Sequence, residues 1–406
     1  MIDALRISTL LVAVGVLFAQ APGGQKRTVT DDEVMRVHQS AILIDGHNDV
    51  TSATVAGLDI GKPNTDHMTD VARMKKGGMG AQFFAAYVAA SYVEGNRSAN
   101  RALQMIDTVK HDIVEKHPQD FIFATTAEDI RRARREHKIA ALVGIEGGHA
   151  IEDSLRLLRL YYELGVRYMT LTHSNSNHWA DSSGDPKKPN NGLSAFGKEV
   201  VAEMNRLGMI VDISHVADKT FWDALEVSKA PIFASHSSCR AISPVPRNMT
   251  DEMIVALAKK GGVVQINFSC DFLSPEVAKA NAATADKVRA VRDQLIPQYA
   301  NDPDGLRKAR AEAQKKVGAP PSPRATLADV VKHINHVVQI AGIDAVGLGS
   351  DFDGIGCAPE GLDSVDKWPN LTRALLEEGY TAAEIRKIYG ENTLRLMEAV
   401  EKARGK

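Results

Sequence analysis

The sequence predicts an α/β protein, a single (β/α)8 TIM barrel, on three observations. Short apolar, β-branched runs alternate with longer amphipathic stretches; there are eight such runs; and six of them end in a histidine or a carboxylate. The runs cover residues 41–45, 81–87, 139–146, 166–172, 209–213, 231–235, 263–268 and 345–349. Unbroken apolar character suits parallel strands covered on both faces. Eight βα units close most simply into a barrel. The stretches between the runs have helical periodicity. Residues 97–116 set Leu103, Ile106, Val109 and Ile113 at that spacing, and 154–164 place Leu155, Leu158 and Tyr162 on one face. Residues 195–207, 218–227 and 251–260 repeat the pattern.

One segment breaks the rhythm. Residues 274–323, between the seventh and eighth runs, are rich in Ala, Lys, Arg and Asp and read as a helical insertion in a βα loop. Loops of that kind form the active face of a barrel, so a lid or partner surface and a merely solvated excursion are both compatible with it. At the other end, Arg6 precedes the apolar run 7–18 and the small-residue site Ala19-Gln-Ala21. This is the layout of a secretory signal peptide, and the apolar run is shorter than the ~20 residues a membrane helix needs. The expected organisation is a signal peptide over 1–21 and one barrel domain over 22–406, exported to the periplasm or secreted. The polar tail 401–406 has no lipid-anchor signal.

Composition narrows the function classes. Lys and Arg number 49 and Asp and Glu 51, a net charge of −2, so there is no electrostatic footprint for nucleic acid. With 44% hydrophobic and 25% charged residues the chain is neither disordered nor fibrous. The three cysteines, Cys239, Cys270 and Cys357, form no evident paired framework, and an odd count leaves at least one thiol unpaired within the chain.

The chemistry lies at the strand ends. The first run leads into Asp45-Gly-His47-Asn-Asp49, the third into Glu146-Gly-Gly-His149 and the fourth into His173-Ser-Asn. The fifth leads into Asp212-Ile-Ser-His215, the sixth into Ser235-His236 and the eighth into Asp351-Phe-Asp353. One such residue reads most simply as a helix cap or a satisfied polar group. Six strands delivering them to one barrel mouth bring charges together that something must compensate, and metal ions do so directly. His47, Asp49, Glu146, His215 and His236 offer three imidazoles and two carboxylates without a thiolate. That donor set suits Zn2+ and also accepts Mn2+ or Co2+. Five ligands exceed one tetrahedral site but fit two ions sharing a carboxylate, an arrangement that activates water and polarises a carbonyl. Alternation along an extended strand lets His47 and Asp49 reach the same ion.

These motifs resemble those of the renal, or membrane, dipeptidase family, peptidase family M19. The stretches that carry the resemblance are Asp45-Gly-His47-Asn-Asp49, Gly144-Ile-Glu146-Gly, Leu171-Thr-His173-Ser-Asn-Ser-Asn-His-Trp179-Ala-Asp, Val211-Asp-Ile-Ser-His215, Ala234-Ser-His236-Ser, Arg247-Asn and Gly349-Ser-Asp351-Phe-Asp-Gly, in order from about 37 to about 400. The resemblance implies a metal-dependent hydrolase barrel with two zinc ions: His47 and Asp49 on the first, Glu146 bridging, His215 and His236 on the second. It implies that His173 contacts the substrate and its tetrahedral intermediate, that Arg247 binds the terminal carboxylate, and that Asp351 shuttles a proton to the leaving amine. It further implies dipeptide hydrolysis, tolerance of a C-terminal D-residue, and a homodimer.

Spacing alone leaves some assignments open. Asp351 and Asp353 fall on the same side of an extended segment, and Arg240 and Arg247 both follow the sixth strand and could each grip a carboxylate. His149 reads as a structural residue or as a partner behind the ligands, and His178 as a mouth or surface residue. Two other functions compete with the dipeptidase: a different metal-dependent amidohydrolase acting on N-acyl amino acids or cyclic amides, and a non-catalytic binding paralogue. Such amidohydrolases usually carry His-x-His on the first strand and a carbamylated lysine bridge. Here the first strand carries His47-x-Asp49 and no lysine ends a central strand.

Overall fold

The computed structural model describes residues 27–299 and 324–405, with 305 and 309 between them. The expected signal peptide at 1–21 lies outside the described residues, as does most of the insertion beyond Tyr299. Among the described residues there are nine strands: β1 Leu43–Asn48, β2 Met79–Tyr87, β3 Phe121–Phe123, β4 Ile139–Glu146, β5 Val166–Thr170, β6 Ile210–Asp212, β7 Phe233–Ser237, β8 Val263–Ile266 and β9 Val346–Leu348. Eight of them pair in parallel in the order β1-β2-β4-β5-β6-β7-β8-β9. The residues after β9 bring the ends together: Asp351 N–H donates to the His47 carbonyl at 3.0 Å and Asp49 N–H to the Phe352 carbonyl at 2.9 Å. Each predicted run therefore corresponds to one barrel strand. β3 was not foreseen; three residues long, it pairs with the first residues of β4, before β5 joins at Val143.

The helices follow local signals. Ser194 caps Ala195–Leu207 by accepting from Gly197 N–H, and Gly208 ends it at φ 82°, a left-handed conformation that glycine adopts without strain. Thr126 and Asp129 form a reciprocal capping box before Ala127–Arg135. Two faces differ from the periodicity. On the helix Ser98–Thr108, Leu103 is 43% exposed while Ala102, Met105, Ile106 and Val109 are buried, because at the helical spacing Leu103 lies about 100° from the face those four residues share; beyond it the helix continues into a π-helical segment, Val109–Glu115. On Leu155–Glu163 the fully buried aromatic is Tyr161, which donates to the Ala150 carbonyl at 2.7 Å; Tyr162 is only partly buried.

The lower barrel is filled by aromatic rings. Tyr168 packs against Phe83 and Phe233 with ring centroids 5.2 Å from each. Its space exists because position 144 is glycine: a Cβ there would lie 2.0 Å from the tyrosine ring. The described part of the insertion is helical over Pro275–Leu295 and is anchored by buried Leu273 and Val277. The cysteine expectation needs correction. Cys270 and Cys357 form a disulfide, with Cα atoms 5.5 Å apart, and buried Cys239 is the free thiol. The pair is 87 residues apart in sequence, but the cysteines follow the neighbouring strands β8 and β9, so the barrel juxtaposes them. No helix among the described residues is long and apolar enough to cross a membrane.

Candidate metal centre

The ligand-bearing strands are bent where they matter. On β1 the register slips between Asp45 and Asn48, and on β7 between Ala234 and Ser237. Such irregularities re-aim side chains beside active sites, and here they fall at His47 and His236. Three further residues at the mouth, His215, Asp351 and Asp353, adopt left-handed backbone at φ 67°, 61° and 67°. Non-glycine residues hold that conformation only where their surroundings enforce it.

Glu146 is the hub. Its Oε2 lies 3.5 Å from His47 Nε2, which is 3.1 Å from Asp49 Oδ2. Its Oε1 lies 2.9 Å from His215 Nε2, 3.4 Å from His236 Nε2 and 3.8 Å from His173 Nε2. One carboxylate thus faces two ligand groups with its two oxygens. Asp351 also stands within ligand distance of His47 and His236.

The histidine tautomers are set from behind. Tyr168 O–H donates to the Gly46 carbonyl at 3.2 Å, so at 2.7 Å its oxygen accepts from His47 Nδ1–H. Ser235 O–H donates to Asp212 at 2.6 Å, so it likewise accepts from His236 Nδ1–H at 2.7 Å. Both rings therefore turn a bare Nε2 into the site, and His47 Nε2 is buried with no hydrogen-bond partner. The Nε2 atoms of His215 and His236 are 2.9 Å apart, so either His215 donates an Nε2–H to the bare Nε2 of His236 or a metal takes the place of that proton. Burial pushes both histidines well below their ordinary pKa, with Arg247 adding to the effect, so both rings are neutral and able to offer a ring nitrogen to a metal. Burial opposes ionisation of Glu146, but His47, His173, His215 and His236 outweigh it and hold the carboxyl well below its usual range. His47 goes the other way: burial opposes its protonation, but Tyr168, Asp49 and Glu146 outweigh burial and hold its pKa well above normal. The cluster therefore draws positive charge to the Glu146–His47–Asp49 side, a place a divalent metal fits in exchange for the proton.

The remaining residues frame a cleft of about 380 Å3, lined in part by Tyr87, His173, Phe272, Asp351 and Asp353. His173 packs between the Tyr87 and His215 rings at 4.8 and 4.5 Å. Asp351 is held by Asn267 Nδ2–H at 2.9 Å, and burial, reinforced by Asp49 and Glu146, raises its pKa well above normal against the pull of His47. Arg247 donates to Ser237 Oγ at 2.7 Å and the His236 carbonyl at 2.8 Å, and lies over Phe272. Its Nε is buried without a partner, and burial lowers its pKa to about 10. Arg240 is committed elsewhere, with both terminal nitrogens 2.7 Å from Asp218. His149 is buried and neutral, its pKa pushed down to about 4 by burial; exposed His178 pairs with Asp153 at 2.6 Å.

Sequence reasoning did not single out Tyr168, Ser235 or Asn267, nor give Asp212 a role. The signals were there: Asp212 interrupts an apolar strand, Asn267 is the polar end of the seventh run, and Gly144 opposite Tyr168 marks a space kept for a large side chain.

A family model described as membrane dipeptidase (peptidase family M19) matches residues 31–406. The fold is similar to that of a probable dipeptidase, PvdM, from Pseudomonas aeruginosa, at 26% identity and a TM-score of 0.78, over 92% of this chain and 98% of that one. A dipeptidase of family M19 described as a metallopeptidase aligns at 26% identity and a TM-score of 0.73, over 90% and 99%. A metallopeptidase from Rhodobacter sphaeroides, liganded with a phosphinate mimic of the dipeptide L-Ala-D-Ala, aligns at 25% identity and a TM-score of 0.72, over 89% and 99%.

Proposed function

The chain belongs to the membrane dipeptidase family, peptidase family M19, a family of metallo-dipeptidases, and from that premise we propose that it is a binuclear zinc enzyme cleaving dipeptides with a free C-terminal carboxylate. The observation that carries this reading is Glu146, whose two oxygens face separate ligand groups, His47 with Asp49 and His215 with His236. Metal held there would supply Lewis acidity, bringing the pKa of a coordinated water to roughly 7 and polarising the peptide carbonyl. His173 is set to donate a hydrogen bond to the oxyanion as the carbonyl carbon becomes tetrahedral. Asp351, steadied by Asn267, accepts the attacking water's proton and returns it to the departing amine, a role typically worth ~10²–10⁴-fold. Arg247 pins the carboxylate; its hydrogen bonds go to neutral oxygens and its Nε–H has no partner, which leaves a donor for an anion. Tolerance of a C-terminal D-residue is supported by the L-Ala-D-Ala mimic bound to the Rhodobacter sphaeroides relative.

The test is a metal count and a substrate panel. The purified protein should hold two zinc equivalents, and Glu146→Ala should lose most of them. It should cleave dipeptides, including those ending in a D-residue, and spare tripeptides, C-terminally amidated dipeptides and N-acyl amino acids. One metal per chain with full activity would remove the binuclear reading. Equal turnover of amidated substrates would remove the carboxylate clamp. Export and a homodimeric state belong to the same reading; they rest on the N-terminal pattern and on the family likeness.

A further inference from the structure

The catalytic cleft contains a second carboxylate that the mechanism leaves unused. The Asp353 side chain is only 4% exposed. Its Oδ1 accepts the Met68 N–H at 2.8 Å and lies 3.4 Å from His67 Nδ1. Its Oδ2 is buried with no partner, and the residue lines the cleft beside Asp351. A buried carboxylate oxygen without a donor is costly to keep, and the backbone that presents it is itself held in the left-handed region at φ 67°. The next residue must be glycine for the loop to come this close: a Cβ on Gly354 would lie 2.4 Å from Asp49 Oδ2 and 2.5 Å from Asp351 Oδ1. Asp351 takes its hydrogen bond from Asn267, whereas Asp353 is fixed by the separate segment His67–Met68. The two carboxylates are thus built for different partners.

We propose that Asp353 Oδ2 receives the free α-ammonium group of the dipeptide. The inference rests on the dipeptidase reading and extends it to the other end of the substrate. An ammonium supplies the donors that Oδ2 lacks, and the charge-assisted bond forms where water is largely excluded. Arg247 follows β7 and Asp353 follows β9, so the two anchors sit on different loops of one mouth. A substrate held at both ends is measured as well as charged. A residue added at either terminus displaces the charge from its anchor, so chain length is selected without a closed wall.

The test is Asp353→Asn in the zinc-loaded enzyme. Asparagine tolerates left-handed backbone about as well as aspartate and can still accept the Met68 N–H, but it turns an amide donor toward the ammonium. Zinc content and thermal midpoint should match the parent. KM for a free dipeptide should rise about tenfold to a hundredfold with little change in kcat, while turnover of the N-acetyl dipeptide stays within about twofold. Calorimetry supplies a readout independent of turnover. A phosphinate dipeptide mimic with a free amine should lose the same factor in affinity, and its N-acetyl form should not. Equal losses for free and acetylated ligands would overturn the proposal, as would a parent that cleaves free dipeptides but is indifferent to acetylation. A parent inactive on all dipeptides would instead remove the dipeptidase reading, and this inference with it.

Discussion

The histidines of the candidate metal centre do little alone; their neighbours decide which nitrogen they offer. Tyr168 illustrates this. Its hydroxyl is spent as a donor on Gly46, so it can only accept from His47, and His47 Nε2 is left bare. Tyr168→Phe should keep the fold, since the ring stays between Phe83 and Phe233. It should weaken zinc retention by roughly 10–100-fold in a chelator competition, the usual effect of removing a partner behind a ligand. Unchanged zinc affinity would show that the tautomer is fixed otherwise. The five residues that meet at the mouth, His47, Asp49, Glu146, His215 and His236, were legible in the sequence because histidine and carboxylate at the ends of apolar runs are conspicuous. Tyr168 was not, because a tyrosine within a strand looks like core until its hydroxyl is seen to point at His47. Spacing also could not separate Arg240 from Arg247. The difference is Asp218, far from both in the chain yet 2.7 Å from the Arg240 guanidinium.

At the scale of elements, the barrel strands were readable from runs of apolar residues, but their registers were not. The irregularities on β1 and β7 that aim His47 and His236 leave no mark in composition. Helix packing has a comparable hidden part in Glu203, on the helix Ala195–Leu207. It accepts from Arg206 Nε and Nη2 at 2.7 Å each and also pairs with Arg159 on the helix Leu155–Glu163. The Arg206 hydrogen bonds, helped by Arg159 and opposed by partial burial, hold its pKa at about 2. A carboxyl depressed in the folded state stabilises above its unfolded pKa of about 4.3 and loses that contribution as pH falls toward 2. At face value the shift is worth about 3 kcal/mol. Both guanidiniums are about half exposed, at 43% and 54%, so solvent screening leaves on the order of 1 kcal/mol. Glu203→Gln should therefore lower the thermal midpoint by a degree or two at pH 7. The gap to the parent should close steadily below about pH 4.3. A gap independent of pH would assign the loss to packing instead.

For the whole molecule, the disulfide Cys270–Cys357 depends on the fold that brings its two cysteines together. The sequence suggested no pairing because Cys270 and Cys357 are distant along the chain; the parallel pairing of β8 with β9 brings the two loops within bonding distance. The bridge joins the turn that places Ser269 and Phe272 in the cleft to the loop that carries Asp353, Gly354, Ile355 and Gly356. It therefore ties together two walls of the catalytic site. Cys239, by contrast, is buried among apolar groups that push its thiol pKa up, which keeps it out of thiol exchange. Disulfides persist where the surroundings are oxidising, which agrees with the signal-peptide pattern ahead of Pro22. Material recovered from outside the cytoplasm should begin near Pro22 and yield a cross-linked Cys270–Cys357 peptide on non-reducing digestion. Under native conditions it should resist alkylation at all three cysteines. The double variant Cys270→Ser, Cys357→Ser should lose about 2–4 kcal/mol of stability, and its KM should rise as the two walls loosen, with zinc content unchanged because no ligand lies on either loop. If the exported protein alkylates freely at Cys270 and Cys357 while remaining fully active, the bridge is dispensable and the cleft walls are held by packing alone.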